Sequence, residues 1–276
     1  MVLFLMKIRE NVLVRWLLMP FVLLKRKLEI KKFENSKDAI YIRTLKNRYA
    51  GKRCFIIGNG PSLQAADLDR LEKEFTFACN RIYDIYEKTK WKPSIYMCLD
   101  TNIINDMQIK NQDLEILSDS IIFFRSKAIV KKYNNLIDIH FFTMNGKYYV
   151  KREQLAITKI SEDVSKYFSL TQSVSCSMLE LAIYMGFKEI YLLGMDHNFG
   201  IEVDMRGNKI INNDVVPHFK EQQDRAVYPS NKEALTKSYE TFKKYGELHG
   251  IKIMNATRGG KLEVFERIDL EKLLEN

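Results

Sequence analysis

The sequence lacks the common cysteine and histidine signatures of a metal or thiol site. It has no C-x-x-C, no H-E-x-x-H and no histidine pair four residues apart, although four cysteines and four histidines occur in its 276 residues. Cys54, Cys79, Cys98 and Cys176 each fall in an apolar or strand-like segment, so they read as buried thiols of a reducing compartment. His140, His197, His218 and His249 are scattered, and no metal site is expected. Long hydrophobic runs are missing too. The cleanest, "WLLMPFVLL", is about half of the ~20 residues a spanning helix requires. It is preceded by Lys7, Arg9, Glu10 and Arg15 and followed by "KRKLEIKK", where a signal peptide would carry small residues. Neither a transmembrane helix nor a secretion leader is expected. There is also no G-x-G-x-x-G, no G-x-x-x-x-G-K-[ST], no internal repeat and no low-complexity linker. Basic residues are dispersed and aromatics follow strand and helix patterns, which argues against nucleic-acid binding.

What is present is a globular composition with a cationic surplus. The 32.5 kDa chain is 46% hydrophobic, enough for a substantial core, and its 44 Lys and Arg exceed its 35 Asp and Glu by nine. A net charge of +9 favours anionic company such as a nucleotide, a phosphorylated substrate or a membrane surface. Residues 1–50 form a basic segment in which Trp16, Phe21 and several leucines sit beside Lys and Arg. Such a segment suits an anionic membrane interface, or else a helix packing on the domain or on another subunit, and composition fits both readings.

From residue 52 onward strand-like and helix-like runs alternate, as in a single doubly wound α/β domain of mostly parallel strands covering 51–276. "RCFIIG", "FTFACN", "PSIYMCL", "SIIFFRS", "DIHFFTM", "EIYLLGMD" and "IKIMNAT" are the candidate strands. "SLQAADLDRLEK", "SVSCSMLELAIYMGF" and "NKEALTKSYETFKKYGELHG" are the candidate helices, the last ended by Gly250 as a C-cap glycine. The polar stretch 200–231 has weak periodicity and reads as a long loop or lid.

Ligands of open parallel sheets bind beyond the carboxyl ends of the strands. Here those ends read Gly58-Asn59-Gly60-Pro61-Ser62, Asn80-Arg81, Asp100-Thr101-Asn102, Gly194-Met195-Asp196-His197 and Asn255-Ala256-Thr257. Gly58 and Gly60 are expected to let backbone approach a bound anion, with Ser62 capping the next helix or donating to a phosphate oxygen. Asn59 and Asn80 suit ribose hydroxyls or phosphate oxygens, and Asp100 and Asn102 can hold a hydroxyl or phosphate in the same crevice. Ser173, Ser175 and Ser177 open a helix whose hydroxyls and free N–H groups offer a second anion-binding end. Asp67 and Asp69 read as a solvated helix face. His218, in the polar loop with Lys220, Arg225 and Tyr228, is the leading acid/base candidate, with His197 as competitor.

Taken in order, "IIGNGPSL", "CNRIY", "SVSCSMLELAIYMGFKEIYLLGMD" and "NATRGGKLEVFERIDLEKLL" resemble a Rossmann-like superfamily over residues 51–265. It includes bacterial sialyltransferases, Maf-type flagellin glycosyltransferases and proteins like the archaeal 6-hydroxymethylpterin diphosphokinase. The resemblance implies a nucleotide and donor-sugar site at Gly58, Asn59, Gly60, Pro61, Ser62 and Asn80. Ser173-Val174-Ser175 falls where the sialyltransferases carry Thr-Ser-Gly. A lid-loop histidine serves those enzymes as general base with tyrosines nearby, which implies His218, with Tyr228 and Arg225 beside it. The expected function is a metal-independent, inverting glycosyltransferase using a nucleotide sugar, CMP-linked by preference, and a glycan or lipid-linked acceptor. It would work at the cytoplasmic membrane face and need no cofactor. Asp196, His197, Asn255 and Thr257 complete the donor-site set. Two alternatives stand: a pterin-type diphosphokinase using ATP and Mg²⁺, drawing on Asp67, Asp100 and Asp196, and a non-enzymatic, membrane-associated nucleotide-binding protein.

Overall fold

The computed structural model describes residues 12–100, 103, 117, 119–125, 138–145, 155–204, 208–212 and 230–275. Its centre is a sheet in which every ladder is parallel, built from β1 (Arg53–Ile57), β2 (Thr76–Cys79), β3 (Ile95–Cys98), β4 (Ile121–Phe124), β5 (Ile139–Phe141), β8 (Glu189–Leu193), β11 (Lys252–Asn255) and β12 (Glu266–Arg267). Strand order is 12-11-8-1-2-3-4-5. The chain therefore starts in the middle, winds outward through β5, and returns on the other side of β1 through β8. The point of reversal lies between β1 and β8, where doubly wound sheets open a crevice at their carboxyl edge.

The strands read as unbroken apolar runs because both faces are covered. Side chains alternate with period two. Cys54, Ile56, Phe77, Met97, Phe123 and Leu192 enter one core, and Phe55, Ile57, Ala78, Tyr96, Phe124 and Leu193 enter the other. The first core is roofed by α4 (Val174–Tyr184), nearly all of whose residues are buried, and by α5 (Lys232–His249). Helix α5 begins at Asn231, whose Oδ1 accepts from the Ala234 N–H, and ends at Gly250 with φ 62°, the left-handed C-cap expected of that glycine.

Several expected elements came out differently. "SLQAADLDRLEK" keeps only a short helix, α3 (Ala65–Asp69), followed by turns. Asp67 does not face solvent: it is 3% exposed and ion-paired with Arg258, which also meets Glu271 at 2.8 Å, so α3 is stapled to the C-terminal segment. Asp69 accepts a hydrogen bond from Thr89. The stretch after β8 is not wholly loop, since β9 (Ile201–Val203) and β10 (Lys209–Ile211) pair as an antiparallel hairpin. A two-stranded parallel ribbon, β6 (Met144–Asn145) with β7 (Phe168–Ser169), and the terminal helix α6 (Leu270–Leu274) were not legible as elements.

The N-terminal segment folds as α1 (Val12–Glu34) and α2 (Lys37–Thr44). Arg26 reaches Thr143 Oγ1 at 3.2 Å, and Tyr41 stacks on His140 of β5 with ring centroids 3.6 Å apart. The N-terminal helices thus touch the β5 end of the sheet. Residues 47–51 then run along the C-terminal end of α4, with Asn47, Tyr49 and Gly51 N–H donating to the Tyr184, Met185 and Gly186 carbonyls. Tyr49, Phe75 and Phe77 gather around Phe187, which is fully buried. Leu18, Phe21, Val22, Leu23, Leu24 and Leu28 of α1 remain exposed.

Phe187 joins the N-terminal segment to the sheet, so Phe187→Ala should lower unfolding free energy by about 3–5 kcal/mol, as other truncated core aromatics do. Urea titration reads this as a lower midpoint at unchanged slope.

Candidate active site

At the point of reversal the loops that leave β1 and β8 lie against each other. The Gly58 N–H donates to the Leu193 carbonyl at 2.8 Å, and the Gly60 N–H to the Gly194 carbonyl at 2.9 Å. A Cβ on Gly58 would overlap the Gly194 carbonyl, and one on Gly60 would overlap the Asp196 carboxylate. Both glycines are thus demanded by the neighbouring loop. The space they were expected to keep clear for an anion is filled by the chain itself, and their N–H groups are spent. Ser62 departs from expectation for the same reason. Its hydroxyl donates to Asp196 Oδ2 at 2.7 Å, with its N–H at 3.4 Å from the same oxygen, and α3 starts later, at the uncapped Gln64. Pro61, between them, is exposed.

On the other side of β1 two asparagines end adjacent strands. Asn59 Nδ2 donates to the carbonyl of Cys79, the residue before Asn80, at 3.1 Å. Asn80 takes a left-handed φ of 51°, which asparagine tolerates better than most side chains, and is held there by its N–H to Met97 and by the Tyr96 hydroxyl on its carbonyl. Both Asn59 Oδ1 and Asn80 Oδ1 are buried and have no hydrogen-bond partner. A buried acceptor left unmet costs about 1–3 kcal/mol. Asp100, half-buried, lies at the next strand end, with Cys98 Sγ 3.6 Å from its backbone carbonyl. Asn102 lies outside the described residues.

His197 follows Asp196 with φ 53° and is 8% exposed. Its Nε2 lies 2.9 Å from Thr236 Oγ1, whose single proton goes to the Lys232 carbonyl at 2.8 Å. With the Thr236 proton on the Lys232 carbonyl, Nε2 is the donor and Nδ1 carries the lone pair. Burial, aided by the charge of Lys232, pushes the imidazole down to about 4 from its ordinary 6.5. Such a ring is a neutral acceptor at physiological pH. Beside it Tyr239 bonds Ser175 at 2.7 Å, and Ser175 bonds Ser173 at 2.6 Å. The serines thus form an internal hydroxyl chain, and Ser173, although the N-cap of α4, makes no capping bond with its side chain. Val174 packs into the core.

Asn255 and Thr257 are used inside the fold. Asn255 Nδ2 donates to Leu262 at 2.8 Å and its Oδ1 accepts from the Thr257 N–H at 3.0 Å, while Thr257 Oγ1 accepts from the Met195 N–H at 3.1 Å. They shape the Asp196 loop from below. Gly260 closes it from the side: the Lys261 N–H donates to the Asp196 carbonyl at 2.7 Å, and a Cβ on Gly260 would press on Asp196 backbone. Sequence reading passed over this loop packing, Lys232, Thr236 and Tyr239, since the last three occupy ordinary helix positions and nothing in their spacing marks them.

His218, Lys220, Arg225 and Tyr228 lie outside the described residues. The residues flanking that stretch are both tied to the start of the β9 hairpin: Asn212 N–H donates to Gly200, and Ser230 N–H to Ile201.

A family profile described as 6-hydroxymethylpterin diphosphokinase MptE-like matches residues 30–202, well over half of the chain. The protein belongs to the MptE-like family. No curated protein sequence matches it. Among solved structures, the Maf glycosyltransferase of Magnetospirillum magneticum AMB-1 superposes with a TM-score of 0.51 at 12% identity, over 82% of this chain and 35% of that one. This MptE-like chain thus shares its fold with about a third of a much longer protein. The sialyltransferase CstII of Campylobacter jejuni in complex with cytidine-5'-monophosphate is 21% identical over 79% of this chain and 85% of that chain, with a TM-score of 0.49.

The lowered His197 pKa sets a pH dependence. Between about 6.5 and 4 the unfolded chain binds a proton at this residue that the folded chain refuses, so its contribution to stability is lost as pH falls. Urea titrations of wild type and His197→Gln at pH 7.5, 6 and about 4.5 should show the wild type losing more stability than the variant on acidification.

Proposed function

We propose that this MptE-like protein is a glycosyltransferase that moves a sugar from a nucleotide donor to a hydroxyl acceptor without a metal. The observation that carries the reading is the pair of unpartnered amide oxygens, Asn59 Oδ1 and Asn80 Oδ1, beside the point of strand reversal, where a ribose or sugar hydroxyl would satisfy them. The preference for a CMP-linked donor comes from the ordered motif resemblance. The acceptor hydroxyl attacks the anomeric carbon from the face opposite the departing nucleotide phosphate, its proton passing to a base, and the configuration inverts. His218 is that base in this reading, with Arg225 and Tyr228 meeting the leaving phosphate. His197 suits the part less, since its Nε2 proton is engaged and its basicity is depressed.

The family match favours a second reading, diphosphoryl transfer from ATP with Mg²⁺. The described carboxylates do not fit a metal centre: no group of three or more His, Cys, Asp or Glu is arranged for one among the described residues, Asp67 is paired with Arg258, and Asp196 holds Ser62.

No described helix is long and apolar enough to cross a membrane. The exposed Leu18, Phe21, Leu24 and Leu28 with Lys25, Lys27, Lys31 and Lys32 on the same helix support peripheral contact with an anionic lipid surface, where a lipid-linked acceptor would be presented.

A thermal-shift panel of CMP, CDP, UDP, GDP and ATP, each with and without Mg²⁺, should show stabilisation by CMP without metal, and stabilisation by ATP–Mg²⁺ alone would overturn the reading. His218→Ala should cut transfer about 100-fold or more while CMP still binds. In flotation assays the protein should rise with phosphatidylserine vesicles and not with phosphatidylcholine ones, and Phe21→Glu with Leu24→Glu should abolish this. Unchanged flotation together with a shift to monomer would assign the helix to a subunit contact.

A further inference from the structure

Helix α4 carries a carboxyl group that the crevice does not use. Glu180 is 1% exposed and lies between Leu179 and Leu181, both fully buried in the roof of the first core. Its two oxygens are divided between two points of the segment that leads into α4. Oε1 accepts from the Ser161 N–H at 2.9 Å, and Oε2 accepts from the Ser169 N–H at 2.8 Å. Residues 161–169 are also closed on themselves, since the Ser161 hydroxyl donates to the Tyr167 carbonyl at 2.6 Å and the Ser169 hydroxyl to the Lys159 carbonyl at 3.1 Å. One side chain therefore pins both ends of a compact turn to α4. Around it the segment is held by uncharged bonds: the Ile157 N–H to Ser238 Oγ of α5, the Phe168 and Leu170 N–H groups to the Thr143 and Asn145 carbonyls, and Gln172 Nε2 to the Asn231 carbonyl. The segment ends at Ser173, the N-cap of α4.

Among the described residues no cation pairs with this carboxyl group. Lys159 and Lys166 of the segment are exposed and pair with Glu162 and Asp163, and Arg26 of α1, beside Thr143, pairs with Glu29. Strands β6 and β7 bring no titratable side chain, and Tyr239 of α5 is bonded to Ser175. On α4 itself, Tyr184 meets Ser165 and Asp163, and Cys176 feels the Glu180 charge with its own thiol pushed up to about 12, chiefly by burial. Burial of an unpaired charge favours the neutral acid, while two N–H bonds favour the anion. Burial wins, and Glu180 is pushed up to about 7 from 4.5. Ser177, three residues earlier and on the same helix face, offers a fully buried hydroxyl without a hydrogen-bond partner, an acceptor for the acid proton within one turn.

We infer that Glu180 is a proton-operated latch: with its proton it holds residues 161–169 closed on α4, and when that proton passes to solvent the segment is released. The closed anion has neither water nor a counter-ion, and opening returns it to water. Closure keeps the proton up to about 7, whereas the open segment keeps it only to about 4.5. The closed state is therefore fully favoured below about 4.5 and loses that advantage as pH rises through about 7. Because the segment runs into Ser173, the latch sets how firmly the start of α4 is held, whatever ligand the crevice takes.

The test is amide hydrogen exchange of the full chain, read by NMR at pH 6 and pH 8 with intrinsic rates divided out. Protection of the Ser161 and Ser169 N–H groups should fall about tenfold from the lower to the higher pH, the change in opening that the two proton affinities dictate. Both should stay less protected than the Phe55 N–H, which is bonded to the Phe75 carbonyl in the sheet, because the segment opens without the sheet. Glu180→Gln cannot ionise, and its Ser161 and Ser169 protection should change less than about twofold over the same interval. In the wild type the Glu180 carboxyl carbon should titrate with a midpoint near 7. A carboxyl midpoint near 4.5, wild-type protection that ignores pH, a tenfold fall that survives in Glu180→Gln, or exchange of Ser161 and Ser169 only in step with Phe55 overturns the inference.

Discussion

The contact between the β1 and β8 loops governs this molecule. Two strands that are neighbours in the sheet but far apart in sequence end side by side, and their loops press together so closely that no Cβ fits at Gly58 or Gly60. The hydrogen bonds from Gly58 and Gly60 to Leu193 and Gly194 lock the loops in register. The polar residues of the two loops are then placed by that lock. Asp196 is laid over the β1 turn, Ser62 is turned toward it, and Asn59 is sent to the opposite side, toward the end of β2. The C-terminal loop reinforces the arrangement, because Thr257 and Gly260 hold the Asp196 loop from two directions and Arg267 gathers the carbonyls of Thr257 and Gly259.

The polar groups of the crevice fall into two sets, those bonded to one another and those left without a partner. Tyr239, Ser175 and Ser173 satisfy one another, as do Asn255 and Thr257, and the energy of those bonds goes into fixing helix and loop positions. Asn59 and Asn80 are different. Each is held through its other polar groups while one oxygen stays unmet, and Asn80 is additionally kept in a left-handed backbone. Unmet buried acceptors and a left-handed asparagine at adjacent strand ends both cost stability. His197 belongs to the same economy, since its burial and the nearby Lys232 keep it neutral.

Much of this was readable from composition and pattern. The parallel sheet follows from unbroken apolar runs such as "RCFII" and "EIYLL" alternating with helical stretches, and α5 was bracketed by Asn231 and Gly250. The strand ends carrying Asn59, Asn80 and Asp196 were also identifiable, because polar residues after buried strands of a doubly wound sheet have one place to go. Legibility failed where meaning depended on a partner distant in sequence. Asp67 looked like a solvated helix position until Arg258, 191 residues away, paired with it. Asn255 and Thr257 looked like ligand groups until Leu262 and Met195 claimed their atoms.

The sequence by itself determined the class of fold, the order of its main strands along the chain and the polar character of their carboxyl edge, since these follow from local periodicity. Only the tertiary structure decided what that edge offers. A glycine that clears space for a phosphate and a glycine that clears space for a neighbouring carboxylate are identical in sequence. The difference lies in whether β8 brings Asp196 over the turn, and that is set by the pairing of two strands separated by more than a hundred residues.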